Sequence, residues 1–311
     1  MLPILFLTLP FFAIIGLGYG AGRAGFFGAE ATAALTRFVF YFALSAMILR
    51  FSATLSLGDV LDWSFLAAYV LATLAVYLVA MGVAGLRRRG LAEAAMEAQC
   101  AGIGNVGFLG LPLLAMLLGE AAIGFNMMVL AADLIVFSSL LVILVAIARD
   151  GRIRPQVLGA IALGLVRNPM IVSLAAGLAW AATGWPVPGP VEGFLVTLGA
   201  AATPGALFAI GASLAGRSAE RPAVAGWLSF AKLVLHPAAC AVTALLLFDV
   251  PPYAAAVMIA CAALPVAGNV YMLAAHYGIA PQRVSASILV STAASLATVT
   301  AVIALLAPLL P

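Results

Sequence analysis

The tripeptide Gly-Asn-Val occurs twice in the chain, at Gly104-Asn105-Val106 and Gly268-Asn269-Val270. Each copy lies inside a long apolar run and beside helix breakers: Gly107, Gly110 and Pro112 follow the first, and Pro265 precedes the second. Opened backbone and a primary amide are costly in lipid, and are tolerated where they line a cavity or are buried in protein. A proline removes a helical hydrogen bond and clashes with the preceding turn, while glycine permits torsions that other residues resist. Unwinding is therefore expected over Gly102–Pro112 and over Leu264–Asn269. Each break creates a half-helix N-terminus with free N–H groups and a partial positive charge. Two such ends meeting at mid-depth form an anion site without a buried Lys or Arg, and the Asn side chains add donors and acceptors. The candidate substrate-binding set is Asn105, Gly104, Gly107, Pro112, Pro265, Gly268 and Asn269. Glycines also serve close helix packing. That role is expected for Gly16, Gly18, Gly20 and Gly22, whereas amides accompany the breakers at the two triplets.

Ionisable residues within apolar spans are the next candidates. Asp133 falls roughly 16 Å into its span at about 1.5 Å per residue. Lys232 lies at comparable depth from the opposite end of another span, and His236 is one turn further along the same face. Asp133 either makes a structural contact with Lys232 or His236, or one of Asp133, His236 and Lys232 takes part in coupling to H⁺ or Na⁺. Glu97 and Arg37 are placed near span ends, where an interfacial role is expected, and His276 is given a solvated one. Ser138, Ser139, Ser291, Thr292 and Ser295 could face a site, although hydroxyls in membrane helices more often bond their own backbone or a neighbouring helix. Cys100, Cys240 and Cys261 lie in apolar stretches and are read as packing residues. No metal site and no resident cofactor are expected.

These residues need a frame, and composition supplies it. The chain of 311 residues is 66% hydrophobic and 8% charged, with a mean hydropathy of +1.22. A soluble domain carries roughly 25% charged residues, so this is an integral membrane protein. Ten apolar runs of spanning length are expected at Ile4–Ala21, Ala31–Phe51, Trp63–Leu86, Glu93–Leu118, Ala122–Ala148, Asn168–Thr183, Val191–Leu214, Ala223–Phe248, Pro252–Tyr277 and Gln282–Leu310. The first follows no basic segment and reads as a span, not a cleaved signal. Odd-numbered connectors hold Arg23; Arg87, Arg88 and Arg89; Arg149, Arg152, Arg154 and Arg167; Arg217 and Arg221; and Arg283. Even-numbered connectors hold Asp59, Asp62, Glu120, Glu192 and Asp249, with Arg50 near an edge. Positive charge stays cytoplasmic, which puts odd connectors inside and both termini outside.

A shift of about 164 residues aligns the halves, span one on span six, Trp63 on Trp227 and Asn105 on Asn269, as internal repeats of transporters do. Five spans per half is an odd number, so the repeats, residues 1–150 and 151–311, must be inverted. Spans four and nine then face each other near the midplane. The symmetry is imperfect, because Asn105 precedes Pro112 whereas Asn269 follows Pro265.

At these residues the chain resembles the auxin efflux carrier family: plant PIN proteins and bacterial relatives that include malonate and malate transporters. The resemblance is carried by Arg37-Phe38-Val39-Phe40, by Ala98-Gln99-Cys100 with Asn105 and Gly110-Leu111-Pro112-Leu113-Leu114, and by Arg167-Asn168-Pro169. Gly211-Ala212-Ser213-Leu214, Lys232-Leu233 with Pro237, and Ala263-Leu264-Pro265 with Ala274-Ala275-His276-Tyr277-Gly278 extend it over essentially the whole chain. It implies ten transmembrane helices as two inverted five-helix repeats, usually dimeric. A scaffold of helices 1, 2, 6 and 7 would flank a transport domain of helices 3–5 and 8–10 that moves like an elevator, with a carboxylate held where broken helices four and nine cross. In that family a proline often follows Leu in span two; here Ser45 follows Leu44, which alters the scaffold side. The long cytoplasmic loop of the plant proteins is absent between Asp150 and Val166, so regulation through it is not expected.

The expectation is thus a secondary transporter of a small organic anion in the inner membrane, a homodimer with no nucleic-acid partner. A channel or small-ligand sensor is the alternative. An intramembrane enzyme is disfavoured, since the chain has no HExxH pair and Gly211-Ala212-Ser213-Leu214 lacks the trailing glycine of a nucleophile elbow.

Overall fold

The computed structural model describes residues 2–54, 62–151, 155–216 and 222–310. Asp59, Arg152, Arg154, Arg217 and Arg221, which carry part of the expected charge asymmetry, lie outside the described residues. Every regular element among the described residues is helical. They are α1 (Leu2–Arg23), α2 (Ala29–Ala53), α3 (Trp63–Leu86), α4 (Leu91–Gly102), α5 (Val106–Leu118), α6 (Ala122–Asp150), α7 (Pro155–Arg167), α8 (Pro169–Ala182), α9 (Gly189–Ala215), α10 (Pro222–Leu247), α11 (Pro252–Ala262), α12 (Gly268–Tyr277) and α13 (Pro281–Leu309). Six of these (α2, α3, α6, α9, α10 and α13) are long and apolar enough to cross a membrane.

One connector differs from its expected form. Residues 155–167, expected to lie in a short link, form α7, which meets α8 at an angle of 67°. The stretch Val157–Val166 is apolar and free of breakers other than glycine, so it continues as helix. Pro169 disfavours helical torsions at Asn168, and the Asn168 side chain accepts the Met170 N–H at 2.9 Å, capping the new helix.

Contacts between helix ends sort the two faces of the molecule. Arg149 at the end of α6 donates to the carbonyl of Tyr277 at the end of α12. Arg283 at the start of α13 pairs with Glu97 at 2.8 Å and Glu93 at 3.0 Å on α4. Glu97 also pairs with Arg87 after α3. Only 2% of Glu97 is exposed, which corrects its expected interfacial role: the carboxylate is buried between two guanidiniums. At the opposite face Tyr253 Oη donates to the Leu118 carbonyl at 2.8 Å, and Arg50 pairs with Glu192 at 3.2 Å.

Two groups of helices pack in different ways. α1 runs along α9 with almost no separation. A Cβ at Gly18 would stand 2.1 Å from the Phe208 oxygen, and one at Gly211 1.9 Å from the Ile15 oxygen. Gly22 meets Ala215 in the same way, whereas Gly16 and Gly20 have nothing within 4 Å. Small residues four apart thus allow close backbone approach. Gly177 of α8 likewise leaves room for Ser52 of α2. In the other group α11 is the centre, with Ala254 to Ala262 all buried.

Candidate functional site

α4 ends at Gly102 and helix resumes at Val106; α11 ends at Ala262 and helix resumes at Gly268. The gaps are therefore shorter than expected, and the reason is local. Pro112 is the second residue of the regular α-helical segment Leu111–Leu118, and helix runs through it without a gap. The π-helical turn Val106–Gly110 precedes it, with the Leu111 N–H reaching back to the Val106 carbonyl. Pro112 thus lies inside α5, at the step from the π turn to α-helix, and is not the break itself.

The two gaps pair with each other. The Asn105 N–H donates to the Pro265 carbonyl at 2.8 Å, and the Ala267 N–H to the Ile103 carbonyl at 3.1 Å. Gly104 and Val266 thereby form an antiparallel bridge, the one β-type pairing among the described residues. The Val266 N–H donates to Ser291 Oγ at 3.1 Å. This serine of α13 therefore serves the break directly, while donating its own hydrogen to the Ile288 carbonyl.

Four amides remain. The Asn105 carbonyl accepts from both Leu109 and Gly110, which leaves the N–H groups of Gly107 and Phe108 at the start of α5 without an acceptor among the described residues. The first two amides of α12, Gly268 and Asn269, are likewise without one. All four residues, with Gly104 and Asn105, line a cavity of about 410 Å³ whose wall also includes Asp133, Asn168 and His276. Asn105, Phe108, Gly268 and Asn269 also line a second cavity of about 670 Å³, between α1, α2 and α9 on one side and α12 and α13 on the other. Asn105 is 5% exposed, and Asn269 Oδ1 is buried without a partner. The crossing thus presents oriented N–H donors and two amides to both cavities, a donor set that suits an anion. Pro112 and Pro265 line neither cavity; Pro265 contributes its carbonyl to the crossing instead.

The family model for membrane transport proteins matches residues 3–303. The chain belongs to that family. It is the family of the auxin efflux carriers, so the transporter is a membrane transport protein and not an enzyme. It is also 33% identical, over 306 residues spanning 96% of this chain and 95% of the relative, to a Rhizobium meliloti (strain 1021) protein named "Putative malonate transporter".

Behind the crossing, the transporter holds a buried polar network. Tyr69 Oη donates to Asp133 Oδ1 at 2.7 Å. Lys232 Nζ donates to the Ala262 carbonyl at the end of α11 and lies 3.0 Å from His236 Nδ1. His236 Nε2 is 2.9 Å from Thr73 Oγ1. Lysine has only donors, so Nδ1 is the acceptor and the Nε2–H faces the threonine. A Cβ on Gly104 would come within 3.2 Å of Lys232 Nζ, so glycine at 104 makes room for the ammonium. Asp133 contacts neither Lys232 nor His236 by an ion pair among the described residues; its partner is Tyr69, which sequence reasoning did not single out. Its Oδ2 is buried without a partner. Lys232 and His236 are fully buried and line neither cavity. No group of three or more His, Cys, Asp or Glu able to hold a metal occurs among the described residues.

Phe40 of α2 stacks on Phe108 of α5, centroids 6.4 Å apart at 14°. Gly107 packs on the Met170 methyl group, which a Cβ would approach to 2.7 Å. Of the serines singled out on α6, Ser138 donates to the Asp133 carbonyl and both Ser138 and Ser139 line the first cavity. Ser295 donates to Thr292 within its own helix.

Proposed function

We propose that this protein is a secondary transporter of a small organic carboxylate, working by alternating access, with the anion held where α5 and α12 begin. The observation that carries this is the set of four unpaired amides (Gly107, Phe108, Gly268 and Asn269) flanked by the Asn105 and Asn269 side chains. Malonate is the first substrate to test, because a relative covering nearly the whole chain bears that name.

In this proposal the architecture is ten spans in two inverted five-helix repeats, residues 1–150 and 151–311. α4–α5 and α11–α12 are the broken fourth and ninth spans. α1, α2, α7–α8 and α9 form the scaffold; α3–α6 and α10–α13 form the transport domain. The glycine-sealed contacts of the first group and the polar network of the second support that division, and both cavities lie between the groups. Elevator movement carries the crossing past α2 and α9. The transporter is a homodimer in the inner membrane, with odd connectors cytoplasmic and both termini outside.

The cavities favour a carrier over a channel. Their walls include Phe27, Gly28, Gly216, His276 and Tyr277, all near odd-numbered connectors. Among the described residues, none of 54, 62, 119–121, 183–188 or 248–251 lines either cavity. The site thus opens to one face. Asp133 is the coupling candidate for H⁺ or Na⁺, since it alone of the three interior ionisable residues lines a cavity; Lys232 and His236 support the crossing.

Counterflow of labelled malonate and other mono- and dicarboxylates in proteoliposomes tests the proposal. Saturable, trans-stimulated flux supports it; failure of folded protein to move any organic acid overturns it, and flux without trans-stimulation favours a channel.

A further inference from the structure

The two cavities that meet at the crossing differ in charge. The wall of the first includes Asp133, whose carboxylate is buried, one oxygen bonded to Tyr69 and the other without a partner among the described residues. The second contains one charged residue among those lining it, Arg37 of α2. Arg37 is exposed and has no ion-pair partner among the described residues. The neighbouring hydroxyls are committed elsewhere. Thr32 donates to the Gly28 carbonyl, Thr36 to Thr32, and Ser213 to Ile210. The guanidinium is therefore the uncommitted donor group on the α2 and α9 wall, and its fork suits a carboxylate. A cavity lined by one sign of charge with low-dielectric walls concentrates the opposite ion. The second cavity thus offers an anion an exposed guanidinium, whereas the acidic residue in the wall of the first is a buried carboxylate.

We infer that the second cavity is the anion's route to the crossing and that Arg37 is its capture residue. This rests on the proposed carboxylate transport. Arg37 belongs to α2, whereas the amides of the crossing belong to α5 and α12. When the crossing moves away, Arg37 stays behind, so it acts on substrate arriving from or leaving to the face where this cavity opens. It takes no part in binding from the other face. Its contribution is sided, unlike that of Asn105, which travels with the substrate.

Transport of labelled malonate by oriented proteoliposomes, with substrate added from either face, tests this. For Arg37→Gln, KM from the cavity face should rise about tenfold, with maximal flux and the opposite-face KM unchanged. The dependence of that KM on ionic strength should flatten. Arg37→Lys should keep the salt dependence and most of the affinity. A wild-type KM on the cavity face for Arg37→Gln, or an equal rise on both faces, overturns the inference while leaving carboxylate transport intact. If wild-type protein moves no carboxylate, the transport proposal itself falls, and this inference with it.

Discussion

The main-chain N–H of Asn105 donates to the Pro265 carbonyl at 2.8 Å, joining residues from opposite halves of the chain at the point where two helices stop. The bond satisfies backbone that the breaks would otherwise leave orphaned. It also leaves the Asn105 side chain free of protein partners among the described residues, turned to the cavities on both sides.

Because that side chain has no hydrogen-bond partner among the described residues, its removal orphans no buried group among them. Asn105→Ala should raise the substrate KM by about tenfold or more, as loss of a direct ligand contact does. Stability should change by less than about 1 kcal/mol. Counterflow and detergent melting curves measured on one preparation check both halves. Wild-type transport removes Asn105 from the site.

Asp133 offers one oxygen to Tyr69 and leaves the other unpartnered beside a cavity. Asp133→Asn keeps the shape and removes the charge. Transport by this variant should lose its dependence on pH or on Na⁺, whichever the wild type shows. Tyr69→Phe should retain the dependence with reduced rate. An unchanged profile in Asp133→Asn makes the residue a structural partner of Tyr69 alone.

Gly107 meets Met170 across the boundary between the two helix groups. A methyl group at 107 pushes on the end of a flexible side chain, which can yield without unfolding. Gly107→Ala should therefore slow turnover and leave the fold intact, and Met170→Ala should restore it. The double-mutant cycle should show a coupling of about 1 kcal/mol. Additive effects on flux would separate the two positions.

Lys232 donates to Ala262 and His236, both buried. Lys232→Met leaves two acceptors without donors, at a cost of roughly 1–3 kcal/mol each. Its melting temperature should fall clearly below that of Asn105→Ala. A Lys232→Met protein as stable as wild type would show that the ammonium is not needed to hold the end of α11.

Much was legible along the chain because helices in lipid obey local rules. Apolar runs of spanning length, glycine beside amide and Pro265 marked where helix must form and where it must fail. The break at Pro265 follows from proline chemistry alone. Pro112 misled, since helix runs through it from the π turn Val106–Gly110 and the gap lies earlier, at residues 103–105. α7 was missed because a moderately apolar stretch after Arg152 and Arg154 reads as connector when length is the criterion.

What the sequence by itself determined is the class of molecule: a helical membrane protein, a family, and two interrupted helices bearing amides. These rest on composition and on the conformations each residue allows its own backbone. Only the tertiary structure decided which groups meet. The pairing of Asn105 with Pro265, the seating of Lys232 behind Gly104, the bond from Tyr69 to Asp133 and the opening of Arg37 onto a cavity all join residues far apart in the chain. Packing brings them together: a buried polar group must find its partner wherever the fold places one, and local pattern carries no record of that address.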